Sequence, residues 1–327
     1  MFVKILKRLF ACITDALPGS ARTAWWLIKL TIPVSLAVML LDYSGWLWII
    51  SGHIEPFFRF FGLPGQSAFV LITSIFTNVY SAVAVITTLH IPWREATIIG
   101  VMCLISHNFL IETVVMRKTG SNPWRMVMLR IAASVFAGIA LNHLLPEAII
   151  EVPANNIMQK PSFVIAIKGW AKDMMFLSLK IIILISLLMI LQQILYQFGV
   201  IRLLTYILRP LMAAMGLHHN TSLSWIVGNT IGLAYGSAIM LDESEKGHMT
   251  REQADLLNHH LSISHSQLED PLLFAAIGLS AGWMIWPRFF IALLAVWMRK
   301  GELYLVRNIS VRYNNAKKTQ SFFKKQT

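Results

Sequence analysis

Residues 263–270, ISHSQLED, repeat the pattern of residues 105–112, ISHNFLIE, at an offset of 158. Two further pairs of octapeptides match in the same order, at offsets of 154 and 155: PFFRFFGL (56–63) with PLMAAMGL (210–217), and VYSAVAVI (79–86) with AYGSAIML (234–241). Each match is weak alone, but three in one order with nearly constant offsets indicate an internal repeat. We therefore predict two homologous halves, residues 22–145 and 173–300.

The composition is that of an integral membrane protein. Of the 327 residues, 56% are hydrophobic and 13% are charged, whereas in a soluble domain about a quarter of the residues are charged. Long apolar runs, such as IIILISLLMILQQIL from Ile181, explain the deficit if most of the surface faces lipid. We expect an all-α, polytopic protein that crosses the lipid bilayer several times.

Positive charge is concentrated at the two ends of the chain. The net charge is +12, and residues 1–30 contain five Lys or Arg with one acid, while residues 299–327 contain eight with one acid. Basic residues that flank membrane segments favour the cytoplasmic side and anionic lipid. We predict that both termini are cytoplasmic and that the bases contact the bilayer, not a nucleic acid.

The segments outside the repeats are short. The N-terminus is amphipathic and interrupted by Lys7 and Arg8, which is typical of an uncleaved helix in the membrane interface. Prolines separate the two halves near the middle of the chain. The predicted division is an interfacial helix (1–21), a first membrane repeat (22–145), a linker (146–172), a second membrane repeat (173–300) and a basic cytoplasmic tail (301–327).

Basic loops alternate between the halves. The loop 117–130 carries four Lys or Arg, whereas its counterpart 271–287 carries none. Conversely, one connector of the second half carries Arg202 and Arg209, and the matching connector has only Arg59. The positive-inside rule then predicts that the repeats are inverted. Inversion needs an odd number of crossings per half, so we expect one interrupted or re-entrant helix in each.

The stretch 254–270 is the most polar part of the apolar region. If it is one helix, Asn258, Ser262, His265 and Glu269 share a face. Such a face cannot contact hydrocarbon, and ionisable groups at membrane depth are candidates for function. The predicted site residues are Asn258, His259, Ser262, His265, Glu269 and Asp270, with His107, Asn108 and Glu112 as the pseudo-symmetric set. The alternative is that 242–270 is a solvated loop and amphipathic helix outside the bilayer.

A second polar element is GNTIGLAYGSA, residues 228–238. Its glycines are spaced by four, as in close helix packing within lipid, but packing does not explain Asn229 and Tyr235. Their expected first-half partners are Ser74 and Tyr80, with Asn78 nearby. We predict a broken helix that lines a cavity, with Asn229, Tyr235, Asn78 and Tyr80 as further site residues.

The histidines permit metal binding or proton transfer, and the sequence does not choose between them. Imidazole and carboxylate suit several metals, and His265 with Glu269 at i, i+4 could chelate one; imidazole also titrates near neutral pH. No metal motif is present, so the metal is unknown and no cofactor is required. Nucleophile elbows, P-loops and dinucleotide fingerprints are absent from the sequence, so we do not expect an enzyme.

The second half resembles a known family. Residues 228–243, GNTIGLAYGSAIMLDE, followed by ADLLNHHLSISHSQLEDPLLFAAIG (254–278), are similar to the nucleoside-recognition or Gate domain of bacterial inner-membrane proteins. That domain occurs in spore maturation proteins, in the permease part of ferrous-iron transporter B and, distantly, in concentrative nucleoside transporters. The resemblance to the iron permeases implies a cysteine in the Gate helices; here Cys103 precedes His107 by one turn, and its counterpart in the second half is Leu261.

The resemblance implies two inverted Gate-like repeats whose interrupted helices meet at a central site. The expected function is an inner-membrane transporter or permease for a small polar solute or ion, such as a nucleoside-like compound or a divalent cation, with or without proton coupling. The alternative is a non-transporting scaffold or assembly protein that uses the polar helix as a docking surface. Assembly into a homo-oligomer is compatible with either function.

Overall fold

The computed structural model describes residues 2–146 and 161–323, and the side chains of 5–146 and 161–309. All regular secondary structure in these ranges is helical, as predicted. The first half contains α1 (Phe2–Ser44), α2 (Trp46–Phe58), α3 (Ser67–Phe76), α4 (Val79–Thr88), α5 (Trp93–Ser106), α6 (Phe109–Lys118) and α7 (Pro123–Leu144). The second contains α8 (Phe163–Gln197), α9 (Val200–Ile207), α10 (Arg209–Ala214), α11 (Ser222–Thr230), α12 (Leu233–Glu245), α13 (Arg251–Leu261), α14 (Glu269–Ala275) and α15 (Ala281–Phe323).

The two halves repeat one arrangement of helices, which confirms the predicted repeat. The first residues of α2 and α9 are related by an offset of 154, and those of α5 and α13, like those of α7 and α15, by an offset of 158. The turns match as well, since Gly45 and Gly199 follow α1 and α8 in the left-handed conformation, with φ of 85° and 68°. Only glycine adopts that conformation at no steric cost, so the same turn is encoded twice.

Within the described residues, five helical segments are long and apolar enough to cross a membrane: Ile5–Ser44, Trp93–Lys118, Pro123–Leu144, Phe163–Gln197 and Ala281–Ile309. Large apolar side chains such as Trp25, Phe76 and Leu187 are exposed on the outer surface of the bundle, as expected where the solvent is lipid. Helices α1 and α8 pack along one another, and α4 and α5 are almost wholly buried within the bundle.

Interrupted helices occur in both repeats, as predicted. Helix α3 breaks from α4 at Thr77 and Asn78, and α11 breaks from α12 at Ile231 and Gly232. Helix α5 breaks from α6 at His107 and Asn108, and the corresponding break between α13 and α14 spans residues 262–268. The Asn78 side chain accepts a hydrogen bond from the Ser81 amide at 3.0 Å and caps the restarted helix.

Some predicted boundaries differ from the observed helices. Helix α1 runs through position 21 without a break, so 1–21 is not a separate helix. Helix α8 begins at Phe163, within the predicted linker, of which residues 147–160 lie outside the described part. Helix α15 continues past residue 300 into the predicted tail. The apolar pattern marks where a helix enters lipid, but the helix itself need not end there.

Candidate functional site

The centre of the molecule holds three side chains that converge on one point. His107 follows α5, Glu112 lies in the first turn of α6, and His265 lies in the break between α13 and α14. The Nε2 atoms of the two histidines are 3.3 Å apart, and Glu112 Oε1 lies 3.1 Å from His107 Nε2 and 3.3 Å from His265 Nε2. We call these residues the central triad. The triad joins the two repeats, and each member is at most 7% exposed.

Backbone carbonyl groups fix the orientation of both imidazole rings. His265 Nδ1–H donates to the Leu261 carbonyl at 2.7 Å, and His107 Nδ1–H donates to the Cys103 and Leu104 carbonyls at 3.2 Å each. A carbonyl oxygen can only accept, so the ring proton lies on Nδ1 in each neutral histidine. In that tautomer, the Nε2 lone pair of each ring points toward the carboxylate of Glu112.

Two fully buried arginines support the breaks in the helices. Arg130, in α7, donates from Nε to the Ile105 carbonyl at 2.8 Å and from Nη2 to the His107 carbonyl at 2.5 Å. Arg288, in α15, donates in the same way to the carbonyls of Ile263 and His265, at 3.0 and 2.6 Å. These carbonyls lose their helical partners where the helix ends, and the guanidinium groups replace those partners.

Each arginine also faces a carboxylate of its own repeat. Arg130 Nη2 lies 2.9 Å from Glu112 Oε2, and Arg288 Nη2 lies 3.8 Å from Asp270 Oδ2. Glu112 and Asp270 are themselves related by the repeat offset of 158. Neither arginine is among the site residues predicted from the sequence, and the prediction of Arg130 as a loop charge is wrong because this residue is buried within α7. Their signal was present, since each is a charge in an apolar helix, at the same offset as the repeat.

The backbone at the two breaks is also equivalent. Asn108 and Ser266 both have positive φ, 50° and 48°. The Asn108 amide donates to the Ser74 carbonyl at 2.9 Å, and the Ser266 amide donates to the Gly228 carbonyl at 3.0 Å. Each break is thereby attached to the neighbouring interrupted helix of its own repeat.

These contacts correct the predicted alignment of the other broken helices. The pairing of Ser74 with Gly228 implies an offset of 154, whereas the alignment predicted from the sequence pairs Ser74 with Asn229. The first residues of α4 and α12 show the same offset, so Tyr80 corresponds to Ala234 and not to Tyr235. Consistent with this, Tyr80 is 5% exposed and Tyr235 is 63% exposed.

A cavity of about 270 Å³ opens beside the central triad. Its polar lining contains many of the predicted site residues, and it is formed by the interrupted helices of both repeats: Asn78, Tyr80, His107, Asn108, Glu112, Tyr235, His265, Ser266, Glu269 and Asp270. The Tyr80 hydroxyl donates to Glu269 Oε1 at 2.6 Å, across the two repeats. Glu269 has Ile111 as its counterpart at the offset of 158, so this carboxylate breaks the pseudo-symmetry.

Four predicted site residues lie elsewhere. The continuous polar helix over 254–270 was wrong, because α13 ends at Leu261 and its polar side chains point in several directions. Asn258 donates to the hydroxyls of Thr119 and Ser121, at 2.9 Å each, and fastens α13 to the loop after α6. The other three are bonded locally and do not line the cavity: His259 to the Asp255 carbonyl, Ser262 to the His259 carbonyl and Asn229 to the Trp225 carbonyl.

The solvated-loop alternative for 242–270 fits only its beginning. Residues 243–248 are exposed or half-buried. His259, His260 and His265 are each at most 2% exposed, so the histidine-rich part lies inside the fold. The chelating pair proposed from spacing, His265 with Glu269, is replaced by His265 with Glu112, because Glu269 is bonded to Tyr80.

A roomier cavity of about 650 Å³ lies where the C-terminal end of α1 meets the N-terminal end of α8. Asp42 and Asp173 line it together with Trp48 and Trp170. It lacks the paired arginines and the contacts across the breaks that define the central site. We therefore take the smaller, central cavity as the candidate functional site.

A known protein family matches both halves of the chain. The sequence model of the Gate family, described as nucleoside recognition, matches residues 24–122 and 178–268, which is more than half of the chain. The uncharacterized membrane protein YvoD of Bacillus subtilis (strain 168) is 28% identical over 291 residues, covering 88% of this chain and 91% of that protein. No solved structure gives a significant match.

Proposed function

Because the chain belongs to the Gate family of membrane proteins, described as nucleoside recognition, we propose that it is a transporter or permease for a small polar solute or ion. The membrane in which it acts is the bacterial inner membrane, with both termini on the cytoplasmic side. An enzymatic role is not part of the proposal, and assembly into a homo-oligomer stays a prediction.

The observation that carries the proposal is the buried ionic cluster at the meeting point of the two repeats. Glu112, Asp270, Arg130 and Arg288, in α6, α14, α7 and α15, are each at most 6% exposed. Burying charge in a membrane protein is costly, and such groups mark substrate and ion pathways. Repeat transporters place their sites at the repeat interface, between discontinuous helices. The central cavity has this position and this construction.

The size of the cavity limits the solute. A volume of about 270 Å³ is just below the usual range of ligand pockets, about 300–1,000 Å³. An ion or a small polar molecule fits this space more readily than an extended one. The lining offers carboxylate, imidazole, amide and phenol groups, so recognition depends on hydrogen bonds and charge.

The scaffold alternative has less support. It requires a polar face of α13 that a partner protein could reach, yet Asn258, His259 and His260 are each at most 2% exposed. Asn258 and His259 Nδ1 make their hydrogen bonds within the chain. Transport through the cavity accounts for the buried charges, and docking on α13 does not.

The test is solute flux into liposomes that contain the purified protein. The probes are radiolabelled uridine and, separately, Zn²⁺ detected by a chelating dye inside the vesicles. We expect protein-dependent entry of one probe, and loss of that entry in His265→Ala with membrane insertion and melting temperature retained. His259→Ala is the matched control, because His259 is equally buried and also bonded to a carbonyl one helical turn earlier, but lies outside the cavity.

Two results would contradict the proposal. One is the absence of protein-dependent flux of either probe, and the other is equal flux through wild type and His265→Ala. Proton coupling is a prediction that the same vesicles test: an imposed pH difference changes the initial rate of a coupled transporter and leaves a passive one unchanged. If His265→Ala fails to insert, His265→Gln takes its place.

A further inference from the structure

The central triad brings together three electron-pair donors. In the neutral form of each ring, Nε2 carries the lone pair, because the Nδ1 proton is donated to backbone carbonyls. The third atom is a carboxylate oxygen, and the three are within 3.1–3.3 Å of one another. Burying three electron-pair donors this close together is energetically unfavourable unless a cation lies between them.

We propose that His107, His265 and Glu112 bind one divalent transition-metal ion of the zinc class. The inference rests on the proposed function in making this ion the solute of the central cavity. Two neutral imidazoles and one carboxylate are a ligand set that suits Zn²⁺ and its neighbours. The set is formed from both repeats, so it exists only when the chain is folded.

The distances fit a metal better than a direct hydrogen bond. With metal–ligand bonds of about 2.0–2.1 Å, tetrahedral geometry places neighbouring ligand atoms about 3.3 Å apart. The three observed separations are 3.1, 3.3 and 3.3 Å. A nitrogen–nitrogen distance of 3.3 Å is long for a hydrogen bond. A single proton bridges two of the three atoms, whereas a metal ion bonds to all of them.

Groups next to the central triad make the supporting contacts that metal ligands usually have. Metal-binding histidines donate their other ring N–H to a carbonyl or carboxylate, and metal-binding carboxylates are hydrogen-bonded in turn. Here the carbonyls of Cys103, Leu104 and Leu261 hold the rings. Arg130 faces the second oxygen of Glu112 at 2.9 Å, which leaves Oε1 for the ion.

The fourth position of the ion faces the cavity. All three triad residues line that space, together with Glu269 and Asp270. A three-ligand site with an open position allows exchange of water, unlike the closed four-ligand sites of structural zinc. An ion that must enter and leave needs such an opening. The site is therefore built for binding that is reversible.

The binding test uses full-length protein in nanodiscs, treated with EDTA and then titrated with Zn²⁺ or Co²⁺. We expect one tight Zn²⁺ per chain by calorimetry and by elemental analysis. Co²⁺ should give the intense visible absorption of a tetrahedral site. Glu112→Gln and His107→Gln should weaken Zn²⁺ binding by at least about 100-fold, because even loss of an outer-layer partner costs ~10–100-fold. His259→Gln should bind as wild type does.

Thermal melting keeps the test decisive if a variant is poorly folded. Zn²⁺ should raise the melting temperature of wild type and of His259→Gln, but not of His107→Gln. Wild-type protein that binds no stoichiometric Zn²⁺ or Co²⁺, or triad variants that bind as tightly as wild type, would overturn the metal site.

Flux separates this inference from the proposed function. If Zn²⁺ binds but neither Zn²⁺ nor uridine enters the vesicles, the metal site is supported and the transport function is contradicted. If uridine enters the vesicles but no metal ion binds, the transport function is supported and the metal site is contradicted. If Zn²⁺ both binds and enters the vesicles, and Glu112→Gln loses both properties, the two proposals stand together.

Discussion

Arg130 and Arg288, which occupy equivalent positions in the two repeats, make the same pair of hydrogen bonds to backbone carbonyls at the ends of equivalent helices. They differ in their carboxylate partners, because Arg130 lies 2.9 Å from Glu112 and Arg288 lies 3.8 Å from Asp270. The closer pair should contribute more to stability.

Arg130→Gln is therefore expected to lower the free energy of unfolding by about 3–5 kcal/mol, since the Glu112 carboxylate is left buried without its cation. Arg288→Gln should cost less. Melting followed by tryptophan fluorescence in detergent measures both. Adding Glu112→Gln to Arg130→Gln removes the unpaired charge and should restore part of the loss. A double variant less stable than Arg130→Gln alone would argue against this account.

Close packing of α11 against α12 gives a second prediction. A Cβ at Gly236 would lie 2.8 Å from the Gly228 Cα and 3.0 Å from the Ser224 carbonyl oxygen, and neither is a flexible group. Gly236→Ala should therefore destabilise the protein by about 1–3 kcal/mol through overpacking. The control is Gly301→Ala, because nothing lies within 4 Å of a Cβ there. It should be neutral, or stabilising by up to ~1 kcal/mol as in any helix. Equal melting temperatures for the two variants would count against the close contact.

The position of Asn258 gives a third prediction. Its amide joins α13 to Thr119 and Ser121 and does not line the cavity. Asn258→Ala should lower the free energy of unfolding by about 1–3 kcal/mol, because buried polar partners lose their hydrogen bonds. Solute or Zn²⁺ affinity per folded molecule should not change. A stable Asn258→Ala protein with lost binding would return this residue to the site.

Inversion of the repeats is a prediction from the basic loops, and it can be tested by labelling. Lys118 and Ser280 are exposed near equivalent turns of the two repeats. Cysteines introduced there should react with a membrane-impermeant maleimide from opposite sides, Lys118→Cys from the cytoplasm and Ser280→Cys from outside. The native Cys12 and Cys103 are buried and are replaced in the background chain. Labelling of both positions from one side would show parallel repeats.

The repeat could be predicted from the sequence because it is carried by short, ordered matches. ISH recurs at 105–107 and 263–265, and the structure places both copies at the centre of the fold. Interrupted helices could also be predicted, since glycine and asparagine occur within apolar runs, as at Asn78 and Gly232. The family expected from residues 228–278 is confirmed by the match over both halves.

The partners of the central residues could not be predicted. A helical wheel puts His265 with Glu269, but the chain leaves the helix at Ser262 and turns His265 toward Glu112 of the other repeat. The charge of Arg288 within an apolar helix is visible in the sequence, but its hydrogen-bond acceptors are not, because they are backbone carbonyls. The spacing of residues along one helix does not show which residues at the break between α5 and α6 contact those at the break between α13 and α14.

Guanidinium groups donate hydrogen bonds to the carbonyls that the two breaks expose. In other broken membrane helices, water often takes that role. The carbonyls of His107 and His265 keep their donors even when the cavity is dry. On the proposed transport function, an incoming ion would lose its hydration shell at this point while the backbone on both sides keeps its hydrogen bonds.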